Sequence, residues 1–155
     1  MKKTTLFLTA LLAAFMLASC ATTKVLSPEE LDSFELPQNP TEENAMVYIV
    51  RPSGFGTAVS FKVYVDSKSK ETYKGKTKGG QYIYFSVQPG SRVVISQAET
   101  RDEYTFTAET NHTYYIQQFP RMGILFARNS LVPIDEALGK TYVKKLKPGK
   151  FKKGI

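Results

Sequence analysis

The chain has 155 residues, a formal net charge of +7, one histidine and one cysteine. A single cysteine excludes an internal disulfide framework, and one residue of each type cannot supply the histidine and cysteine pairs of a zinc site. We therefore expect one small domain with no metal and no cofactor.

The N-terminus has the layout of an export signal. Lys2 and Lys3 precede an apolar run from Leu6 to Leu17, and this run is too short to span a bilayer. The pattern predicts a secretory signal peptide over residues 1–19.

The cysteine ends that segment. Leu17-Ala18-Ser19-Cys20 resembles the lipobox of bacterial lipoproteins. The resemblance implies cleavage after Ser19, acylation of Cys20 and anchoring in a membrane. The residue after the cysteine is Ala21 and not an aspartate. By the same resemblance, this favours the outer membrane if the host has two membranes. A free thiol, an intermolecular disulfide and an ordinary cleavage site are the alternatives for this cysteine.

Residues 20–44 are predicted to form an acidic tether. Six carboxylates oppose Lys24 alone, and hydrophobic periodicity is absent. Ser27-Pro28-Glu29-Glu30 is a capping-box pattern, which predicts one short helix within the tether. Fully extended at about 3.5 Å per residue, this segment could hold a domain up to roughly 80 Å from a membrane.

Residues 45–146 consist of short runs rich in β-branched and aromatic residues, separated by turn residues. In the clearest run, Phe61, Val63 and Val65 are predicted to face a core while Lys62 and Tyr64 face outward. Six further strands are predicted at Met46 to Arg51, Tyr82 to Val87, Ser91 to Gln97, Glu103 to Ala108, Thr113 to Phe119 and Ile124 to Leu131. The turns between them favour antiparallel pairing.

One helix is predicted after the strands. It begins near Asp135, runs toward Lys145, and carries Leu138, Tyr142 and Leu146 on one face, with Gly139 weakening it. The predicted fold is therefore all-β: an antiparallel two-sheet sandwich of about seven strands with one short C-terminal helix. A partly closed barrel is the alternative.

Several segments of the domain carry a family resemblance. They are residues 45–52 (AMVYIVRP), 63–66 (VYVD), 80–82 (GQY) with 88–91 (QPGS), and 111–115 (NHTYY). Together they resemble a family of bacterial lipoproteins with a domain of unknown function, and also PEGA domains, which are small β-sandwiches of cell envelopes. The resemblance implies a sandwich fold and an envelope location, and it transfers no catalytic residue. A lysine-rich stretch over residues 68–78 departs from the pattern and leaves the shape of that hairpin open.

Two sets of residues are candidate binding sites. The first is a basic C-terminal set, which predicts binding to an anionic lipid, a wall polymer or an envelope protein; it comprises Lys140, Lys144, Lys145, Lys147, Lys150, Lys152 and Lys153. The second is a set of tyrosines expected on exposed faces, where they could contact proteins or sugars: Tyr64, Tyr73, Tyr82, Tyr84 and Tyr115. Ordinary strand tyrosines and a frayed, solvated tail over residues 147–155 are the alternatives.

Catalytic residues are harder to assemble. His112 is predicted at a hairpin tip, and Glu99, Asp102 and Glu103 flank another turn without forming an acid–base pair. We therefore expect a membrane-anchored envelope lipoprotein that acts as a non-catalytic binding or scaffolding module and binds no nucleic acid. A glycan or wall-polymer binder and a hydrolase with an unrecognised carboxylate site are the alternatives.

Overall fold

The computed structural model describes residues 23–54, 57–122 and 127–152. Ten strands and two helices lie in these ranges. The strands are β1 (Ala45–Arg51), β2 (Phe61–Val65), β3 (Tyr73–Thr77), β4 (Gln81–Val87), β5 (Gly90–Gln97), β6 (Arg101–Ala108), β7 (Thr113–Met122), β8 (Ala127–Ile134), β9 (Lys147–Pro148) and β10 (Lys150–Phe151). The helices are α1 (Pro28–Ser33) and α2 (Glu136–Lys145).

The strands form two packed five-stranded sheets, so the predicted sandwich with a short C-terminal helix is confirmed. The first sheet has the order β8-β7-β1-β4-β9, and the second has the order β10-β3-β2-β5-β6. The prediction of about seven strands missed three, because β3 lies in the lysine-rich stretch and β9 and β10 are two-residue strands in the basic tail. The predicted last strand also ends three residues too early, at Leu131 instead of Ile134.

Strand pairing is mostly antiparallel, as predicted, but two strand pairs are parallel. Strand β1 is antiparallel to β4 but parallel to β7, and β4 is parallel to β9. Every residue of β1 is buried, so this strand is covered on both faces. Its nearly continuous apolar sequence is typical of such a central strand.

The interior has two apolar layers. Between the sheets lie Val47, Ile49, Val63, Ile83 and Phe85 with their neighbours. The second layer lies on the outer face of the first sheet, and it contains Tyr48, Tyr82, Tyr115, Tyr142 and Val143, with Phe34, Leu36 and Leu138 packed against it. The molecule therefore has three layers: α2 with an N-terminal segment, the first sheet, and the second sheet.

Helix α2 matches its predicted position. The Asp135 carboxylate caps it by accepting a hydrogen bond of 2.8 Å from the Leu138 amide. Lys144 and Lys145 lie in the last turn, where cations favour the helix dipole.

Residues 23–38, here called the strap, lie along α2 and the first sheet. The predicted capping box of α1 is confirmed. The Ser27 hydroxyl accepts a hydrogen bond from the Glu30 amide, and the Glu30 carboxylate accepts one from the Ser27 amide. The Leu26 amide donates to Thr141 Oγ1 at 3.0 Å, and the Tyr48 hydroxyl donates to the Gln38 carbonyl at 2.6 Å. These described residues of the predicted tether are therefore held on the domain and do not extend away from it.

The C-terminal segment crosses from one sheet to the other. Strand β9 pairs with β4, and β10 pairs with β3. At the crossing, the Gly149 amide donates to the Tyr82 carbonyl at 2.7 Å. A Cβ at Gly149 would lie 2.8 Å from the Lys76 carbonyl oxygen, so only glycine fits without a shift. The alternative of a frayed tail is therefore wrong for residues 147–152.

Candidate anion-binding groove

The lysine-rich stretch forms part of a basic row across the second sheet. Lys150 of β10 lies opposite Lys76 of β3, and Lys76 lies opposite Lys62 of β2. The row continues through Gln97 of β5 to Arg101 of β6. Residues directly opposite one another in neighbouring strands project from the same face. Lys62 is exposed and lies between the inward-facing Phe61 and Val63, so this is the outer face of the sheet.

This row opposes the stability of the sheet. Like charges directly opposite one another in a sheet are destabilising. Arg101 is paired with Glu103, but in the part of the chain that the structure describes no ion pair involves Lys62, Lys76 or Lys150. The arrangement is therefore suited to an external anion, which would supply the missing negative charge.

A groove of about 410 Å³ lies next to the row, over the β2–β3 hairpin. Its lining combines three lysines with two tyrosines and one serine: Lys62, Tyr64, Lys68, Ser69, Lys70 and Tyr73. The two rings are 5.4 Å apart between centroids and inclined at 57°. A register shift between Val63 and Tyr64 places Tyr64 opposite Tyr73. The groove therefore has an aromatic wall and basic side chains around it.

The loop that carries Lys68 and Lys70 is held by its own hydrogen bonds. The Thr72 hydroxyl donates to the Ser67 carbonyl at 2.5 Å and accepts from the Ser69 amide at 3.1 Å. Lys152, from the end of the C-terminal crossing, donates to the Glu71 carbonyl at 2.8 Å. The groove is thus largely formed before any ligand arrives.

Two titratable groups beside the groove have shifted pKa values, and one of them, Glu71, stays ionised at neutral pH beside the lysines. Burial raises the pKa of Tyr73, and the neighbouring Tyr64 raises it further, so this phenol stays protonated at neutral pH. Glu71 is the carboxylate of this loop, and the main cause of its lowered pKa is a hydrogen bond from the Ser69 side chain.

The predicted basic tail does not form one site. Of its members, Lys150 joins the row on the second sheet, and Lys152 supports the groove loop. Lys140, Lys144 and Lys145 belong to α2, on the other side of the first sheet. Lys147 is exposed in β9. Lys153 lies outside the described residues.

The helix lysines have partners within the molecule. Lys140 pairs with Glu136 at 2.9 Å, and Lys144 pairs with Glu30 at 3.0 Å. Lys145 donates to the Lys24 carbonyl at 2.7 Å.

The predicted tyrosine site is corrected as well. Tyr82 and Tyr115 are buried, with 6% and 4% of their surface exposed, because α2 and the strap cover the outer face of the first sheet. Tyr84 is half-buried, and its ring centre lies 5.3 Å from that of Tyr48. Tyr64 and Tyr73 are the members of the set that line the groove. The contact between their rings was not predicted, because the strand register that brings them together has no local sequence signal.

Three of the residues considered as catalytic candidates, Asp102, Glu103 and His112, contact other residues of the domain. Asp102 accepts a hydrogen bond of 2.6 Å from the Leu131 amide and so joins the two sheets. Glu103 pairs with Arg101, and His112 is exposed next to a turn as predicted, with its ring 4.9 Å from that of Tyr114. Among the described residues, no group of three potential ligands could hold a metal ion.

The predicted signal peptide and Cys20 lie outside the described residues. Within the described part of the chain, neither helix is long and apolar enough to cross a bilayer.

Fold and groove together define a β-sandwich protein with a basic, aromatic outer face. No family model matches the chain. It is similar to a protein of Haemophilus influenzae described as uncharacterized, with 25% identity over 134 residues, which cover 86% of this chain and 77% of that protein.

Proposed function

We propose that this protein is a lipid-anchored component of the bacterial cell envelope that binds an anionic glycan without catalysis. Two features support the proposal. The lipobox pattern ending at Cys20 favours export and acylation. The groove supplies lysines and tyrosines on one open face.

The groove is the observation that carries the choice of ligand. Tyrosine rings can stack on the apolar face of a sugar, and lysines attract carboxylate or phosphate groups. The groove is wide open to solvent, so it suits a sugar chain that lies along the surface better than a small ligand that needs an enclosed site. An acidic envelope protein would fit the basic row alone but would leave the paired tyrosines without a use.

The test is calorimetric titration of the mature, acylated protein in detergent micelles. The probe is hexagalacturonate, a carboxylated hexasaccharide, and neutral maltohexaose serves as the comparison. We expect the Lys68→Ala/Lys70→Ala variant to bind the anionic probe about tenfold more weakly, a loss of ~1.4 kcal/mol. Raising the salt concentration should weaken binding by the wild type, because exposed charges are screened.

The control variant is Lys144→Ala/Lys145→Ala, which removes the same charge from α2. It should bind the probe as the wild type does. Equal losses in both variants would show attraction to net charge alone, and equal affinity for the neutral probe would contradict the role of the lysines. Cleavage of the probe would support the hydrolase alternative instead.

Mass spectrometry of the mature protein tests the anchor independently. We expect acyl chains on Cys20 and their loss in the Cys20→Ser variant. A wild-type protein with a free Cys20 thiol would contradict the anchor while leaving the groove's binding to be judged by calorimetry.

A further inference from the structure

The strap fixes where the chain leaves the domain. Thr23 Oγ1 lies 3.4 Å from the Tyr142 hydroxyl, and the Lys24 carbonyl accepts a hydrogen bond from Lys145. The Leu26 amide is bonded to Thr141. The first described residues are therefore attached to the C-terminal half of α2.

The proposed anchor is close to this point. Cys20 precedes Thr23 by three residues, and three residues can span at most about 11 Å. An acylated Cys20 would therefore hold the C-terminal half of α2 near the membrane surface. The roughly 80 Å reach of a fully extended tether is not available while the strap stays bound.

The surface beside the anchor suits a lipid headgroup region. Val25 is 42% exposed, and it is one of two large apolar side chains that are exposed in the described part of the chain. It is flanked in sequence by Lys24, and the exposed Lys144 and Lys145 lie on the neighbouring turn of α2. Each basic residue near an anionic membrane contributes about 1 kcal/mol of attraction. Pairing with Glu30 reduces the contribution of Lys144, and the exposed carboxylates of α1 (Glu29, Glu30 and Asp32) oppose an anionic surface further along the strap. The part of this face that suits anionic headgroups is therefore limited to Lys24, Val25 and Lys145 beside the anchor.

The groove lies on the opposite side of the molecule. Helix α2 and the strap cover the outer face of the first sheet, whereas the groove opens on the outer face of the second. Two packed sheets are about 10 Å apart, and the helix adds a further layer of about 10 Å. A membrane at α2 therefore leaves the groove about 20 Å away and facing outward.

We propose that the C-terminal end of α2 and residues 23–26 rest on anionic lipid headgroups, so that the anchored protein presents its groove away from its own membrane. This inference rests on the proposed acylation of Cys20. It assigns Lys24 and Lys145 to the membrane and the lysines of the β2–β3 hairpin to a ligand that does not belong to that membrane.

The test uses the acylated protein in vesicles of phosphatidylethanolamine and phosphatidylglycerol that contain a nitroxide headgroup quencher. Acylation occupies Cys20, so an introduced cysteine is the unique site for a fluorescent label. Val25→Cys reports on the proposed membrane face, and Thr105→Cys reports on the exposed outer face of the second sheet. We expect at least threefold stronger quenching at position 25 than at position 105.

Equal quenching at the two positions would overturn the proposed orientation, and so would stronger quenching at position 105. A Lys24→Glu/Lys145→Glu version of the Val25→Cys protein should be quenched less in anionic vesicles, with no change in phosphatidylcholine vesicles. Unchanged quenching at position 25 in anionic vesicles after charge reversal would also contradict the contact with anionic headgroups.

The outcomes separate this inference from the proposed function. A free Cys20 thiol found by mass spectrometry would overturn the anchor and the orientation together. Hexagalacturonate binding with the wrong pattern of quenching would overturn the orientation alone. Correct quenching without binding of hexagalacturonate would leave the orientation standing and contradict the proposed ligand.

Discussion

Gly139 sets the distance between α2 and the first sheet. A Cβ at this position would overlap the ring of Tyr115, which lies beneath the helix. The sequence predicts only the weaker helix propensity of glycine here, because the residue that approaches it comes from a strand 24 positions earlier. The close approach is therefore a property of packing that the local pattern does not contain.

We expect Gly139→Ala to lower the free energy of unfolding by about 1–3 kcal/mol, because the added methyl group must displace the helix or the buried ring. Urea denaturation followed by circular dichroism measures the change. Gly54→Ala is the matched control, since its Cβ would meet only Thr57 Oγ1 at 4.0 Å. Equal stability of the wild type and the Gly139→Ala variant would contradict the packing of α2 described above.

Tyr48 makes the fold sensitive to alkali. Burial raises its pKa from 10.0 to about 12, and nearby Tyr84 and Tyr82 add smaller effects. The protonated phenol is favoured in the folded state, so its contribution to stability is complete below pH 10 and is lost as the pH rises toward 12. A difference of about two pKa units corresponds to roughly 2–3 kcal/mol.

We therefore expect the stability of the wild type to fall between pH 10 and pH 12 more steeply than that of the Tyr48→Phe variant. At pH 8 the variant should be about 1 kcal/mol less stable, because it loses the hydrogen bond to the Gln38 carbonyl. Urea denaturation at pH 8, 10 and 11 measures both effects. Parallel pH profiles would show that Tyr48 does not titrate with a raised pKa.

At the scale of elements, local signals predict the helices well. The capping box at Ser27 and the cap at Asp135 are formed by residues three positions apart, so the sequence contains their whole geometry. Strand β3 has no such signal: its inward positions are Gly75 and Thr77, and its apolar contacts depend on other strands. Strands β9 and β10 are recognised only by their backbone pairing.

The C-terminal crossing is expected to stabilise the sandwich through its backbone. It covers the edges of β4 and β3. Besides the ladder pairs of β9 and β10, three of its amides donate hydrogen bonds to the carbonyls of Gly80, Tyr82 and Lys74. Deleting residues 147–155 should therefore lower stability by at least about 3 kcal/mol, at about 1 kcal/mol for each bond. The uncovered edges should also promote self-association, because unpaired strand edges invite pairing with another chain.

The control for this deletion is the Lys147→Ala/Lys150→Ala/Lys152→Ala variant, which removes the charges and keeps the backbone pairs. Thermal unfolding and analytical ultracentrifugation compare the two proteins. A control as unstable as the deletion variant would contradict the role given to the backbone.

At the scale of the whole molecule, the alternation in segments such as Phe61 to Val65 was enough to predict a sandwich. It could not predict the parallel pairing of β1 with β7, because these strands are more than 60 residues apart in the sequence. The apolar face of the helix with Leu138, Tyr142 and Leu146 predicts packing on a sheet, but not that Tyr82 and Tyr115 are the residues covered. Tyr82 and Tyr115 alternate like exposed strand residues, but α2 and the strap return to cover them.

The basic row is also a product of long-range pairing, whereas the groove is formed within the single β2–β3 hairpin. Lys62, Lys76 and Lys150 come from three strands, and strand register brings them into one row. In the sequence, the lysine-rich hairpin and the basic tail are separate features. The strand pairing places both on the second sheet, opposite the proposed membrane face.

The central claim is that the β2–β3 groove binds an anionic glycan. The most direct test is titration of the ¹⁵N-labelled, acylated protein with hexagalacturonate, followed by two-dimensional NMR. We predict that the largest shift changes lie at Lys62, Tyr64 and residues 68–73, and that they shrink in the Lys68→Ala/Lys70→Ala variant. A second cleft, of about 260 Å³, is lined by residues that include His112 and Glu136. Shift changes centred on α2 or on this cleft, with the groove signals unmoved, would contradict glycan binding in the groove.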